Sequence, residues 1–358
     1  MIKIGYQPTS IEYSKIIKTA AKTRNQDIVE QIWKYIRSSN VEISTDLWNS
    51  YIRATCNADE TLWYRRFNRN TNCESKKIQK EPIATNHAVN LVTQMIEEGV
   101  TPNSRTFELV ILYLGQAGEL DYVKSLIHSL WGVSLNCSRE EADVVKLHTG
   151  DLNYPTITTL SSIINSFGVS NQFLIGLQIM ERIQKQYNIV LDGSSASLQL
   201  WKSMMRWAFW TSEPWGNTSP FALELVWKTI IETNKIQPSG SMIHYKILRE
   251  LCRRDYDSAA SMIPMFFESS NVKYPDQHVV QSLKKVARGY IRIGNDDKCV
   301  SLLKKYESFP GIYQEVFDDI QRYNKPSVYG KFSSDILALE HFEAAADELY
   351  NVEDSDLL

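Results

Sequence analysis

Residues 99–136 read GVTPNSRTFELVILYLGQAGELDYVKSLIHSLWGVSLN, and the fold of the chain turns on this stretch. Gly99-Val100-Thr101-Pro102-Asn103 closes a segment in which Val89, Val92, Met95 and Ile96 fall at helical spacing. Thr106-Phe107-Glu108-Leu109-Val110-Ile111 opens the next helix. Gly115 to Asp121 forms a turn, with Gly118 able to supply a left-handed helix end. Val123, Leu126, Ile127, Leu130 and Trp131 then draw a second apolar stripe. The unit is two short antiparallel helices, and such a pair cannot bury its apolar faces alone.

The unit recurs. Tyr13-Ser14-Lys15-Ile16-Ile17 opens an earlier copy, and Ile28, Ile32, Trp33 and Ile36 form its second helix. Trp48-Asn49-Ser50-Tyr51-Ile52 restates the opening 35 residues after Ser14. Further openings stand at Thr159–Ile164, Leu200-Trp201-Lys202, His244–Leu248 and Gln281-Ser282-Leu283. Stacking neighbours buries each unpaired face, which predicts an all-α fold, an α-solenoid of helix-turn-helix repeats. The spacing is uneven, with insertions expected at 57–82, 137–154 and 211–219. After Phe309-Pro310-Gly311 the period is lost. The chain therefore divides into a repeat solenoid over 1–309 and an acidic C-terminal segment over 310–358, with a helix near 334–350.

Composition removes other classes. With 358 residues, 43% of them hydrophobic and 23% charged, the chain can bury a core. Only 15 Gly and 11 Pro argue against sandwiches and propellers, which turn every few residues. Five scattered cysteines without a Cys-x-x-Cys give neither a disulfide framework nor a zinc knuckle, and six His show no ligand spacing. No phosphate loop, nucleophile elbow or Gly-rich fingerprint is present, so neither an enzyme, a cofactor nor a small-molecule substrate is expected. The uncharged run between Asp151 and Glu181 is too polar to span a bilayer, which predicts a buried segment and not an integral membrane protein. Residues before Pro8 are too few and too polar for a leader, so either the mature start lies here or an upstream targeting region is missing. Net charge is −3, but residues 307–358 hold 12 acidic against 3 basic residues. Subtracting these from 39 Lys/Arg and 42 Asp/Glu leaves the body with 36 basic and 30 acidic residues, a net of +6.

A two-helix unit of 35 residues that opens with an aromatic and closes Gly-Val-Thr-Pro-Asn resembles the pentatricopeptide repeat. The Trp-x-x-Leu-Gly signature of the tetratricopeptide repeat is absent. Within 105–270, the succession Ile127-His128-Ser129-Leu130-Trp131, Tyr154-Pro155, Leu200-Trp201, Ala208-Phe209-Trp210-Thr211, Val226-Trp227-Lys228 and Gln237-Pro238-Ser239 is similar to the fungal mitochondrial ATPase expression proteins of pentatricopeptide type. The resemblance implies a mitochondrial protein, of the matrix or associated with its membrane. It implies binding of single-stranded RNA, the messenger for the ATP synthase ring subunit, in support of its stability or translation, with the translation machinery as a further partner.

Repeats of this class read one base each through two or three side chains. By resemblance, the readers are the polar residue after the opening aromatic and the last residue of the unit. These pair Ser14 with Ser44, Asn49 with Asn103, Glu108 with Asn136, Ser161 with Asp192, Lys202 with Ser239, and Lys246 with Asp276. The Asn pair resembles a pyrimidine reader and Ser161 with Asp192 a purine reader, whereas Glu108, Lys202 and Lys246 depart from common choices. Ser, Asn and Asp at these places also suit helix caps. Independently of the resemblance, Arg65, Arg66, Arg69, Lys76, Lys77 and Lys80, interleaved with Trp63, Tyr64 and Phe67, can pair with phosphates and stack on bases. Two further basic clusters, Arg249 with Arg253 and Arg254, and Lys284, Lys285, Arg288 with Arg292, lie at helical spacing. Trp201, Trp207 and Trp210 are expected in the packing. The rival reading is a helical-repeat scaffold for a protein partner, such as a translation or ribosome component.

Overall fold

A computed structural model of the protein describes residues 8–22, 26–39, 41–56, 86–133, 147–212, 221–270 and 276–323. The expected basic loop at 57–82, the helix near 334–350 and the acidic end lie outside these residues, as does Asn136. Every described element is helical, and the helices group into two compact units, Met1–Val190 and Leu191–Leu358.

The first unit contains α1 (Ser10–Lys22), α2 (Gln26–Ser38), α3 (Thr45–Thr55), α4 (Asn86–Glu97), α5 (Ser104–Ala117), α6 (Leu120–Trp131), α7 (Ile157–Val169) and α8 (Phe173–Tyr187). They form four pairs, and the first helices α1, α3, α5 and α7 pack on one another in chain order. The turn between α5 and α6 runs through Gly118 at φ 82°, a left-handed residue that ends α5. α8 ends the same way on Asn188 at φ 51°.

Aromatic side chains join the layers. Trp33 of α2 stacks on Tyr51 of α3 at 4.0 Å between centroids and meets Trp48 edge-on at 4.7 Å. Burial and the neighbouring Glu30 carboxylate, to which the phenol donates, push Tyr51 well above the usual phenol range. Further along, the indole of Trp131 donates to the Asn153 carbonyl at 2.9 Å, while Gln186 and Tyr187 of α8 donate to the Trp131 carbonyl. The end of α6 is thereby tied to α8. The uncharged run that begins at Asp151 becomes α7, whose residues from Thr159 to Gly168 are all buried. Among the described residues no helix is long and apolar enough to cross a membrane.

The second unit holds α9 (Ser195–Ser212), α10 (Ala222–Lys228) continued by a π-turn over Thr229–Thr233, α11 (Gly240–Cys252), α12 (Tyr256–Met262), α13 (Met265–Glu268), α14 (Gln277–Arg292), α15 (Asp296–Lys304) and α16 (Pro310–Tyr323). First helices α9, α11, α14 and α16 again pack in order. Trp201 and Trp207 are buried in α9, as packing residues should be, while Trp210 is half-buried. The core between α11 and α16 is built from Ile243, Ile247, Phe266, Val279, Leu283, Val286, Tyr290 and Val316. Full burial of such a branched side chain contributes about 1.5–3 kcal/mol. α16 occupies the place of another first helix, because Ile312, Val316 and Ile320 recur at every fourth residue and are buried.

Candidate nucleic-acid interface

Each first helix from α1 to α14 starts on a short polar cap, and the chemistry of the row follows from counting onward from that cap. Thr9 and Glu12 cap α1 reciprocally. Ser44 caps α3 by accepting from the Leu47 amide, and Asn103 caps α5 in a capping box with Thr106. Thr156 and Thr159 repeat that box on α7. In the second unit, Ser194 accepts from the Ser197 amide ahead of α9, Ser239 precedes α11, and Asp276 accepts from the His278 amide at the start of α14. Five residues beyond these caps stand Ser14, Asn49, Glu108, Ser161, Gln199, His244 and Gln281.

These fifth positions touch the next first helix in a recurring way. Asn49 donates from Nδ2 to Asn103 Oδ1 at 3.1 Å, and Thr106 donates from Oγ1 to Asn49 Oδ1 at 2.8 Å. One step on, Thr159 donates to Glu108 Oε1 at 2.8 Å, the same contact from the same place in the next helix. Ser14 shares a 2.6 Å hydrogen bond with Ser50, and His244 Nδ1 shares one of 2.7 Å with Ser282, each six residues past its cap. At Ser14, Asn49 and Glu108 the row of first helices is held by polar positions that the resemblance assigns to base reading.

The expected pairs fare differently. Asn49 and Asn103 meet directly. Ser14 and Ser44 lie on neighbouring helices, with Ser44 joined to Ser10 at 2.8 Å. Ser161 and Asp192 fall in different units. Asp192 is exposed, and hydrogen bonds from the Ser194 and Ser197 hydroxyls and the Ser194 amide hold its carboxyl below the usual range. The partner expected for Glu108, Asn136, lies outside the described residues, and Thr156 stands at the cap in its place. Glu108 itself is 1% exposed, with Oε2 held by Arg105 and Oε1 by Thr158 and Thr159.

Lys202 and Lys246 stand eight and seven residues past their caps, off the row of fifth positions. Lys246 is buried and donates to Glu224 at 2.5 Å and to Glu250 at 2.7 Å, closing α11 against α10. The residues that occupy the row are Gln199, exposed on α9, and His244, fully buried. Counting five from Ser194 and Ser239 would have found both. Burial, with Lys285 and His278 adding to it, holds the His244 imidazole well below its ordinary value. Its Nε2 is buried without a hydrogen-bond partner.

Several members of the two helical basic clusters pair within the protein, while Arg254 and Arg292 are exposed. Arg249 is buried, and Arg253 lies 3.8 Å from Glu224 and 3.7 Å from Glu250. On α14, Lys284 pairs with Glu315 at 2.8 Å and Arg288 makes a two-point contact with Asp319, both acids belonging to α16. Arg65, Arg66, Arg69, Lys76, Lys77 and Lys80 lie outside the described residues. Among the described residues no group of three or more His, Cys, Asp or Glu is placed to hold a metal.

Residues 104–220, from the start of α5 to beyond α9, match the family model described as mitochondrial ATPase expression. The chain is 22% identical over 192 residues to the mitochondrial pentatricopeptide repeat-containing protein 6 of Schizosaccharomyces pombe, a match that takes in 52% of this chain and 40% of that protein. Among solved structures, the pentatricopeptide repeat protein PPR10 in complex with an 18-nucleotide psaJ RNA element aligns at 15% identity and a TM-score of 0.41, over 86% of this chain and 47% of that one. PPR10 from maize aligns at 14% identity and a TM-score of 0.33, over 97% and 56%. The chain thus spans about half or less of the relatives first matched. Its paired helices, the regular caps of its first helices and the matched segment at 104–220 make it a helical-repeat protein that resembles the pentatricopeptide-repeat proteins and, within them, the mitochondrial ATPase expression family.

Proposed function

We propose that this chain binds single-stranded RNA in mitochondria and, without catalysis, supports the stability or translation of one messenger, that of the ATP synthase ring subunit. The observation that carries the reading is the Asn49–Asn103 step. Asn103 Oδ1 accepts from Asn49 Nδ2 and from the Thr106 amide, each at 3.1 Å, so its two lone pairs are filled. The Asn103 amide nitrogen keeps its hydrogens on a half-buried side chain. The step therefore presents donors at the rim of the row, which suits the acceptor edge of an unpaired pyrimidine. Ser14 with Ser44, Ser161, Asp192, Gln199, Ser239 and Asp276 supply further polar positions. Arg65, Arg66, Arg69, Lys76, Lys77 and Lys80 supply phosphate contacts. The matched family segment and the name of the fission yeast relative support the mitochondrial setting and the link to ATPase expression.

Ultraviolet crosslinking of the tagged protein in mitochondria, followed by sequencing of the recovered RNA, tests this. One dominant site in the ring-subunit messenger is the expected result. A different single transcript keeps the RNA-binding function and removes the assigned target. Recovery of no RNA above background overturns the proposal in favour of a protein-binding scaffold.

A further inference from the structure

The contact between α5 and α7 differs in kind from the one between α3 and α5. At the α3–α5 step the fifth-position side chain is an amide with donors left over. At the α5–α7 step it is the Glu108 carboxylate, and both its oxygens are occupied. Thr158 donates to Oε1 at 2.7 Å and Thr159 at 2.8 Å, with Thr156 at 3.4 Å. Arg105 donates to Oε2 at 2.9 Å from the preceding turn of α5. The hydroxyl hydrogens of Thr158 and Thr159 are directed inward at the carboxylate, and the side chain is 1% exposed. Charge-assisted bonds of this sort are about twice as strong as neutral ones.

The rest of the same interface is closed as tightly. Ser166 of α7 donates to the Ile111 carbonyl at 2.7 Å, and Ser170 donates to the Gly115 carbonyl at 3.0 Å. Gly115 permits this approach, because a Cβ there would come within 2.6 Å of Ser166 Cα. The two helices are thus joined at both ends, and both oxygens of Glu108 accept from donors within the protein.

We propose that α5–α7 is a closed step latched by Glu108, and that a single-stranded RNA lying along the first helices of the Met1–Val190 unit is read at the α3–α5 step and passed over at α5–α7. The inference rests on the RNA-binding reading above. Glu108 is a positioning residue, which sets where base reading stops by fixing two helices against each other. The RNA footprint of this unit is correspondingly short, with a sequence-tolerant nucleotide where a continuous row would specify one.

The test is selection from a pool of fully randomised 14-nucleotide single-stranded RNA with the full chain, followed by sequencing and by affinity measurements on single-base variants of the selected RNA. Wild type, Glu108→Gln, Thr158→Val and Asn103→Ala are compared, with thermal melts of each. The expected result is that Glu108→Gln and Thr158→Val melt lower than wild type. They keep the wild-type motif, with every single-base preference within about twofold. Asn103→Ala loses about tenfold or more of the preference at one position. A base preference that changes at a single position in Glu108→Gln or Thr158→Val overturns the closed step, since Glu108 would then be a reader. If Glu108→Gln does not fold, the exposed Thr158 variant decides the question by the same criterion. No enriched motif with the wild-type chain overturns the RNA-binding reading itself, and this inference falls with it.

Discussion

Replacing Gly115 with Ala tests how closely α5 and α7 are joined. A Cβ at residue 115 would stand 2.6 Å from Ser166 Cα and Oγ and nearer still to its Cβ, whereas real approaches of this type lie beyond 3.0 Å. The obstacle includes backbone, so the helices must part by at least 0.4 Å, the difference between 3.0 and 2.6. That displacement stretches the 2.7 Å Ser166–Ile111 and 3.0 Å Ser170–Gly115 hydrogen bonds. Overpacking costs about 1–3 kcal/mol, and two weakened bonds add about 0.5 kcal/mol each. The better helix propensity of Ala returns about 1 kcal/mol. The net is a destabilisation of about 2 kcal/mol, or a melting point roughly 4–8 °C lower for a unit of this size. Far-ultraviolet circular dichroism melts of the full chain measure it. A Gly115→Ala chain that melts at or above the wild-type temperature would refute the close approach, because an unobstructed helical glycine gains from the change. Gly311, which has open space around the same ideal Cβ within α16, provides that contrast. Gly311→Ala should gain about 0.5–1 kcal/mol.

Other consequences can be checked on the same material. His244 has a folded pKa depressed well below the ordinary imidazole value of 6.5, so below that pH the unfolded chain takes up a proton that the folded one refuses. Stability should fall as pH drops from about 7.5 to about 5.5, by up to about 1.4 kcal/mol per pH unit from this group, and urea melts of His244→Asn should show a shallower decline. Cys56 is 3% exposed with its thiol pushed up to about 12, while Cys252 is half-buried. Brief iodoacetamide treatment at about pH 8, where an ordinary thiol is partly ionised, should therefore label Cys252 well before Cys56, as read by peptide mass spectrometry. Lys284 and Arg288 pair with the acidic side chains Glu315 and Asp319 of α16. Lys284→Gln and Arg288→Gln should lower the melting point yet leave the salt slope of RNA affinity unchanged, whereas removing a side chain that neutralises one phosphate of a single strand would reduce that slope by about 0.7.

The repeat was legible because the helix pairs announce themselves through period and punctuation. All seven first-helix openings read from the sequence fall in α1, α3, α5, α7, α9, α11 and α14. α16 was missed although Ile312, Val316 and Ile320 keep the helical period, since surrounding acids and the lack of a closing motif hid it. Register was the weaker inference. In the first unit the aromatic before the reader and the cap give the same answer, as at Trp48 and Asn49 after Ser44. In α11, Tyr245 suggests Lys246, whereas the cap Ser239 counts to His244. The cap is the better ruler because it fixes where the backbone turns helical, while an aromatic can sit on either side of the seam. Charge alone is ambiguous for a related reason. Basic residues one turn apart on α14 look like a path for phosphates, and only the acidic side chains of α16, some thirty residues on, show that they join two helices.

On the proposed RNA-binding function, recognition and packing draw on the same side chains in this fold, which makes residue type at the fifth position decisive. Six of the seven fifth positions, Ser14, Asn49, Glu108, Ser161, His244 and Gln281, are less than a tenth exposed, and Gln199 of α9 is exposed. What a ligand meets is the hydrogen-bonding capacity left after that contact is made. An amide such as Asn49 or Asn103 has two donors and an acceptor group, so one contact leaves something over. A carboxylate facing three hydroxyls and a guanidinium leaves nothing, and a buried imidazole such as His244 leaves a nitrogen that no solvent reaches. A short list of residue types at this place can thus separate steps that bind from steps that only hold the stack together.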